Sequence, residues 1–382
     1  MAGIYIHIPF CKQACHYCNF HFSTSQKRRP EMLKAILKEL ELRQDYLNGK
    51  TVDTVYFGGG TPSLLGREEI ELIFGSLTQY FEISEGAEIT LEANPDDLSL
   101  QKLEVLKDSP VNRLSIGIQS FFDEDLKYMN RDHNAREAEK CIENALKLGF
   151  EQLTVDLIYG TPTTSDAQWK INMQKIFDFG IPHVSCYCLT VEPGTALDHF
   201  VRKGKSKPVD EEQAARQFEL LIAKMEENGY EHYEISNFAK PGMYSRHNSS
   251  YRLGTSYLGL GPSAHSYDGK SRQWNVAHNG RYIKALLGDS ANSSTAVSNE
   301  LFEKEILTKQ QLFNEYVMTS LRTIWGCSLD EIRKIEPSYI VHFQTNIAKY
   351  MKENTVVEAD GVYRLTQNGK LLADRIAMEL FL

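Results

Sequence analysis

The chain has 382 residues, 42% of them hydrophobic and 24% charged, with 51 Asp and Glu against 42 Lys and Arg and a net charge of -9. That apolar content suffices for a sizeable core and excludes a disordered chain, and the length suits roughly two domains or one large barrel with an appendage. The acidic balance argues against a dedicated nucleic-acid binder, whose affinity rests on neutralising phosphates. No apolar run approaches the roughly 18 to 20 residues that span a bilayer, which leaves room only for peripheral contact with a membrane. The opening MAGIYIHIPF lacks the charged start and cleavage site of a secretory signal, so a cytoplasmic protein is expected. Its 7 cysteines are too few and too unevenly placed for a disulfide scaffold.

Hydrophobic periodicity predicts strands and helices in alternation. A strand at Ile4–Ile8 precedes a helix at Pro30–Leu47; strand Thr54–Gly58 precedes helix Arg67–Phe81; strand Glu88–Ala93 precedes helix Leu100–Lys107. Strand Arg113–Gln119 then leads to helix Ala135–Leu148, strand Leu153–Tyr159 to helix Ser165–Phe179, and strand Val184–Val191 to helix Asp210–Asn228. Six βα units fall short of the eight in a closed TIM barrel, so an open, partial α/β barrel or a doubly wound parallel sheet is expected. Residues 1–232 are assigned to this unit. From 233 to 299 the sequence turns to Gly, Ser, Asn and aromatic residues and reads as a functional connection leading out of the barrel. Residues 300–382 read as a small helical domain of winged-helix character, with a β-wing and helix from Val356 to Leu382. Acidic residues outnumber basic ones there, so DNA binding is not expected.

Cys11, Cys15 and Cys18 form C-x3-C-x2-C on the loop leaving the first strand, where parallel α/β folds place their chemistry. Three thiolates this close repel one another unless they share a cation, so a metal centre is expected. Zinc, with His16 or His21 completing a Cys3His tetrahedron, is one reading. An iron–sulfur cluster with one iron lacking a protein ligand is the other. Gly58-Gly59-Gly60-Thr61-Pro62 after the second strand fits neither phosphate-binding glycine motif, but lets backbone groups approach a ligand closely. Glu92, closing the third strand, can accept hydrogen bonds from ribose hydroxyls. Gln119 ends the fourth strand and Asp156 lies within the fifth, around the same barrel mouth.

The segment IYIHIPFCKQACHYCNF resembles the radical S-adenosylmethionine (SAM) family. That resemblance implies a partial (β/α)6 TIM-like barrel and a [4Fe-4S] cluster on Cys11, Cys15 and Cys18, with SAM chelating the open iron. YIHIPFC, GGGTP, LEANP, NRDH and DLIYGTP together resemble one subgroup, that of oxygen-independent coproporphyrinogen III oxidase and its relatives. Carried over position by position, the resemblance implies SAM contacts from Tyr5, Tyr17, Gly59, Gly60, Thr61 and Glu92, and further ones from Gln119, Arg131 and Asp156.

Within the subgroup, oxidases carry a cysteine two positions after the third ligand, where this chain has Phe20. They also have an N-terminal extension, whereas this chain starts a few residues before its first strand. Both features resemble a branch that delivers heme to recipient hemoproteins rather than making its precursor. That branch is marked by H-N-x-x-Y-W, and the chain has His247-Asn248-Ser249-Ser250-Tyr251-Arg252. The resemblance implies heme as cargo, with His247 as axial ligand in a mobile loop and Tyr251 stacking or hydrogen-bonding; Arg252 is placed to pair with a heme propionate. His265, in GLGPSAHS, is a candidate neighbour of SAM or heme. The alternative activity is radical oxidative decarboxylation of coproporphyrinogen III to protoporphyrinogen IX. Cys141, Cys186 and Cys188 read as packing residues, with Tyr187 facing the barrel.

Overall fold

The computed structural model describes residues 2–49, 51–288 and 300–382. Its framework is six parallel strands in chain order: β1 (Gly3–Ile8), β2 (Thr51–Gly59), β3 (Glu82–Ala93), β4 (Arg113–Gln119), β5 (Gln152–Tyr159) and β6 (His183–Cys188). The alternation of β1 explains its placement: Ile4, Ile6 and Ile8 are buried against the outer helices, while Gly3, Tyr5 and His7 line an inner cavity. Helix Arg29–Leu42 covers that outer face with Met32, Ile36 and Leu40. It stops before the predicted Leu47, where Asp45, Asn48 and Gly49 are poor helix formers. Asn134 and Ser165 open their helices with reciprocal capping boxes, which fixes both starts close to where the pattern predicts them.

The remaining strands are β7 (Glu231–Glu234), β8 (Asn237–Ala239), β9 (Tyr257–Leu260), β10 (His265–Tyr267), β11 (Ser271–Asn275) and β12 (Phe302–Ile306). All join one sheet of 12 strands in the order β12-β11-β10-β9-β1-β2-β3-β4-β5-β6-β8-β7. The sheet curls without closing. Tyr5 of β1, Tyr56 of β2, Glu92 of β3 and Tyr187 of β6 line the same cavity of about 580 Å³, so the first and sixth strands face one space.

The expected connection at 233–299 is therefore corrected over 233–288, its remaining residues lying outside the described ones. Its chain does not lead out of the barrel: β9 returns to pair in parallel with β1, with Gly3 opposite Tyr257 and Tyr5 opposite Gly259. The sheet also runs past the expected boundary at residue 300, because β12 pairs with β11 along its whole length. A buried carboxylate fixes this return. Glu39 accepts from Gly261 N (2.8 Å), Asn275 Nδ2 (2.7 Å) and Tyr282 Oη (2.6 Å), with Arg43 as its countercharge at 3.0 Å.

Beyond β12 a separate core gathers Phe313, Val317, Ile332, Phe343, Ile347 and Ile376. Its three-stranded sheet holds β13 (Cys327–Ser328), β14 (Val356–Ala359) and β15 (Val362–Leu365), with the last two forming the expected wing. No helix among the described residues is long and apolar enough to cross a membrane.

Candidate functional site

The cysteine loop leaves β1 and is held in place by its backbone and by the segment 128–133. Cys11 N donates to Ser23 O (3.1 Å) and His16 N to Met129 O (3.1 Å). Asn130 clasps the loop from both sides: its side chain donates to Ala14 O at 2.8 Å, and its carbonyl accepts from Gln13 Nε2 at 2.9 Å. Arg131 Nη1 lies 3.3 Å from Cys15 Sγ and 3.5 Å from Tyr17 Oη, while Nη2 donates to Asn94 Oδ1 and Gly117 O. Cys11, Cys15 and Cys18 are free and half-buried, and burial pushes the Cys11 thiol up to about 11 and raises that of Cys18. Such thiols need a cation to ionise.

His16 and His21 are both engaged elsewhere. His16 Nδ1 lies 2.9 Å from Tyr128 O and its ring meets Phe200 edge-on; His21 Nε2 lies 2.7 Å from Asn279 Oδ1. The Cys3His zinc alternative is thus left without a committed fourth ligand. Among the described residues, no three His, Cys, Asp or Glu side chains converge on one ion-sized point. A donor set of three free thiols beside a guanidinium fits a larger anionic cluster better than a single divalent ion.

The glycine turn borders this loop. Gly59 has φ 103, and a Cβ there would sit 2.5 Å from the His7 ring; a Cβ on Gly60 would lie 2.6 to 2.7 Å from the backbone of Phe10 and Ile8. Both positions therefore require glycine. Thr61 follows, buried, with its N–H on Phe10 O at 2.7 Å.

Glu92 accepts from Tyr56 Oη at 2.7 Å and Gly59 N at 3.2 Å. Loss of solvent, reinforced by the charge of Asp156, raises its carboxyl to about 7, and loss of solvent raises Asp156 to about 6. Carboxyls raised in this way cluster at functional sites. Asp156 shares weak contacts with Ser115 at 3.4 Å. Gln119 closes β4 at φ 65, a conformation costly for a non-glycine residue, and a Cβ on Gly117 would meet its amide nitrogen at 2.8 Å and Arg131 Nη2 at 3.1 Å. Arg131 Nε is buried without a partner among the described residues. Tyr5, Glu92, Asp156, Gln119 and Arg131 are thus gathered on the inner face of the sheet, with the cysteine loop at its rim.

His247 is not in a mobile loop. It stands on a helix, Arg246–Arg252, started by Ser245 and anchored by the buried carboxylate of Glu88, which accepts from Arg246 N (3.0 Å) and His247 N (2.8 Å). Arg113, also buried, faces Glu88 at 3.5 Å. His247 Nδ1 lies 2.9 Å from Thr54 Oγ1, its ring stacks on Tyr56 at 4.9 Å, and Nε2 has no partner among the described residues. Burial lowers its pKa to about 4, so the ring is neutral near pH 7. Through Tyr56, the histidine is joined to Glu92. Tyr251 is exposed on the cavity wall, 5.6 Å from Tyr257. Arg252 is corrected: it is ion-paired with Glu234 at 3.1 Å, which is also paired with Arg322, so it is not a free propionate partner.

Sequence reasoning missed Thr54, Tyr56, Glu88 and Trp325, the last reaching the cavity from the C-terminal region. Only Glu88 carried a signal, a charge at an inward position of a strand. Cys141 is buried on its helix; on β6, Cys186 is buried and Tyr187 faces the cavity as the alternation predicts, whereas Cys188 is only half-buried against the same core.

The fold and the three-cysteine loop define a class, since residues 5–176 match the model of the Radical SAM superfamily. Heme chaperone HemW of Bacillus subtilis is 33% identical over 98% of both chains, and that of Mycobacterium tuberculosis is 36% identical over 81% of both. The chain belongs to the HemW family of radical SAM proteins. Coproporphyrinogen III oxidase (HemN) from Escherichia coli shares the fold, with a TM-score of 0.83 at 23% identity over 100% of this chain and 90% of the other.

Proposed function

We propose that the protein binds heme through His247 and delivers it to a recipient hemoprotein, using a radical SAM barrel as its body. The observation that carries this reading is the state of His247: neutral and held at Nδ1, with Nε2 unpartnered at a cavity of about 580 Å³. When Nδ1–H donates to Thr54, Nε2 carries the lone pair that an axial ligand needs. The cavity size falls within the range of ligand pockets. Tyr251 and Tyr257 offer aromatic surface beside it.

Cys11, Cys15 and Cys18 would hold a [4Fe-4S] cluster, which supplies an electron-transfer centre with one iron open to the amino and carboxylate groups of SAM. Gly59, Gly60 and Thr61 present backbone to the amino-acid end of SAM, while Glu92 and Tyr5 take its ribose side. Tyr17, Gln119, Arg131 and Asp156 complete the enclosure, with Arg131 neutralising charge near Cys15. Free, half-buried thiols kept for a cluster call for a reducing compartment, so this reading includes a cytoplasmic protein.

The test is a parallel measurement on cluster-loaded protein kept from oxygen. Retention of added heme that is lost in His247→Ala, without consumption of coproporphyrinogen III in the presence of SAM and a reductant, is the expected result. Turnover of the porphyrinogen would replace this reading with the decarboxylase. Unchanged heme retention in His247→Ala would remove the histidine from it.

A further inference from the structure

The chain carries 3 tryptophans. Trp169 is sealed in the main core and Trp274 lines a second cavity of about 480 Å³, whereas Trp325, half-buried, lines the cavity of His247. Trp325 comes from outside the barrel, on the turn between helix Lys309–Leu321 and β13.

That turn is held from two sides. Ile235 N donates to Arg322 O (3.0 Å) and Ile324 N to Tyr233 O (3.0 Å), so residues 322–324 run alongside β7 with Thr323 opposite Glu234. On the other side Arg364 Nε, from β15, donates to Ile324 O at 2.7 Å. Gly326, at φ 71, packs so closely that a Cβ would meet Tyr363 O at 2.4 Å. The indole is therefore presented by fixed backbone.

The same turn reaches both ends of the helix that carries His247. At the start of the helix, Tyr233 and Tyr244 stack at 4.4 Å, and Trp325 meets them at 6.2 and 6.1 Å in T-shaped contacts. Equal distances place the indole beside the tyrosine pair rather than over it. Tyr244 precedes the Ser245 cap, whose N–H lies 3.4 Å from Tyr233 Oη. At the end of the helix, Arg252 shares Glu234 Oε1 with Arg322, at 3.1 and 3.2 Å. The arginine that stands where the H-N-x-x-Y-W motif has its tryptophan is thus tied to the turn that brings an indole into the cavity.

We propose that Trp325 is an aromatic wall of the heme pocket, supplying the indole that position 252 lacks, so that the C-terminal core forms part of the cargo site. A porphyrin is flat and apolar over both faces, and indole offers it a large, rigid aromatic surface. Heme held by His247 then touches the barrel on one side and the 322–326 turn on the other. This inference rests on the heme-binding reading, and the experiment separates the two.

The full chain and its W325L, W325F and W274L variants are titrated with ferric heme and followed in the Soret band. W325L keeps an apolar side chain on the turn without a ring, and should bind roughly fivefold to tenfold more weakly. W325F should bind within about twofold of the unsubstituted chain, because a ring is restored. W274L, at the other cavity, should bind as the unsubstituted chain does. Undiminished binding by W325L, an equal loss in W325L and W274L, or a loss in W325F as large as in W325L would overturn the assignment of Trp325 while leaving His247 in place. Failure of the unsubstituted chain to take up heme would overturn both.

Discussion

Thr54 decides what His247 can do. Its hydroxyl, 2.9 Å from Nδ1, aims the ring, a task that valine of the same shape cannot perform. Thr54→Val should weaken heme binding roughly 10- to 100-fold in equilibrium titrations while leaving the fold intact. Glu92 shows the converse, a residue that costs stability for the sake of a ligand. Its carboxyl is raised to about 7 in the folded chain from an ordinary value of 4.5, so the unfolded chain holds its proton less well. Its contribution favours the fold below about pH 4.5 and is lost as pH rises through about 7. Glu92→Gln should therefore stabilise the ligand-free protein at pH 8 by an amount of order 1 kcal/mol, detectable by urea denaturation, and weaken SAM binding in the same preparation.

The helix Arg246–Arg252 is made by its surroundings. Its residues are at most half-buried and form no apolar stripe, so RHNSSYR reads from sequence as a loop; Ser245 was its only local start signal. What holds it is Glu88, whose carboxylate caps the first N–H groups 158 and 159 positions away in the chain. Glu88→Ala should cost about 3 to 5 kcal/mol in denaturation, because Arg113 would be left as an uncompensated buried charge, and should abolish heme retention together with the helix. The strands contrast with this helix. Arg113–Gln119 was legible to the residue because its apolar run is bounded by turn signals, and helix Leu100–Lys107 likewise by its Ser99 cap. The cysteine loop was legible by spacing, but Asn130 and Arg131, which clasp it, were visible only through family resemblance.

Among the described residues the largest core lies between the 12-stranded sheet and its covering helices, and a separate one forms from Phe313 onward. Glu234 joins them. It takes Arg252 of the histidine-bearing helix and Arg322 of the second core, while Ile235 N donates to Arg322 O and Ile324 N to Tyr233 O. Glu234→Gln should leave both cores folded but separate their thermal transitions in calorimetry and increase hydrogen exchange at residues 320–325. The return of the chain to β1 could not be read from sequence, because YLGL is four residues long with a glycine inside, too short to signal a strand. That return has a consequence for biosynthesis. β1 finds its second neighbour only when β9 emerges some 250 residues later, so a nascent chain halted between β8 and β9 carries a bare apolar edge. Such chains should depend on chaperones and precipitate when released early, whereas chains extended past β11 should not.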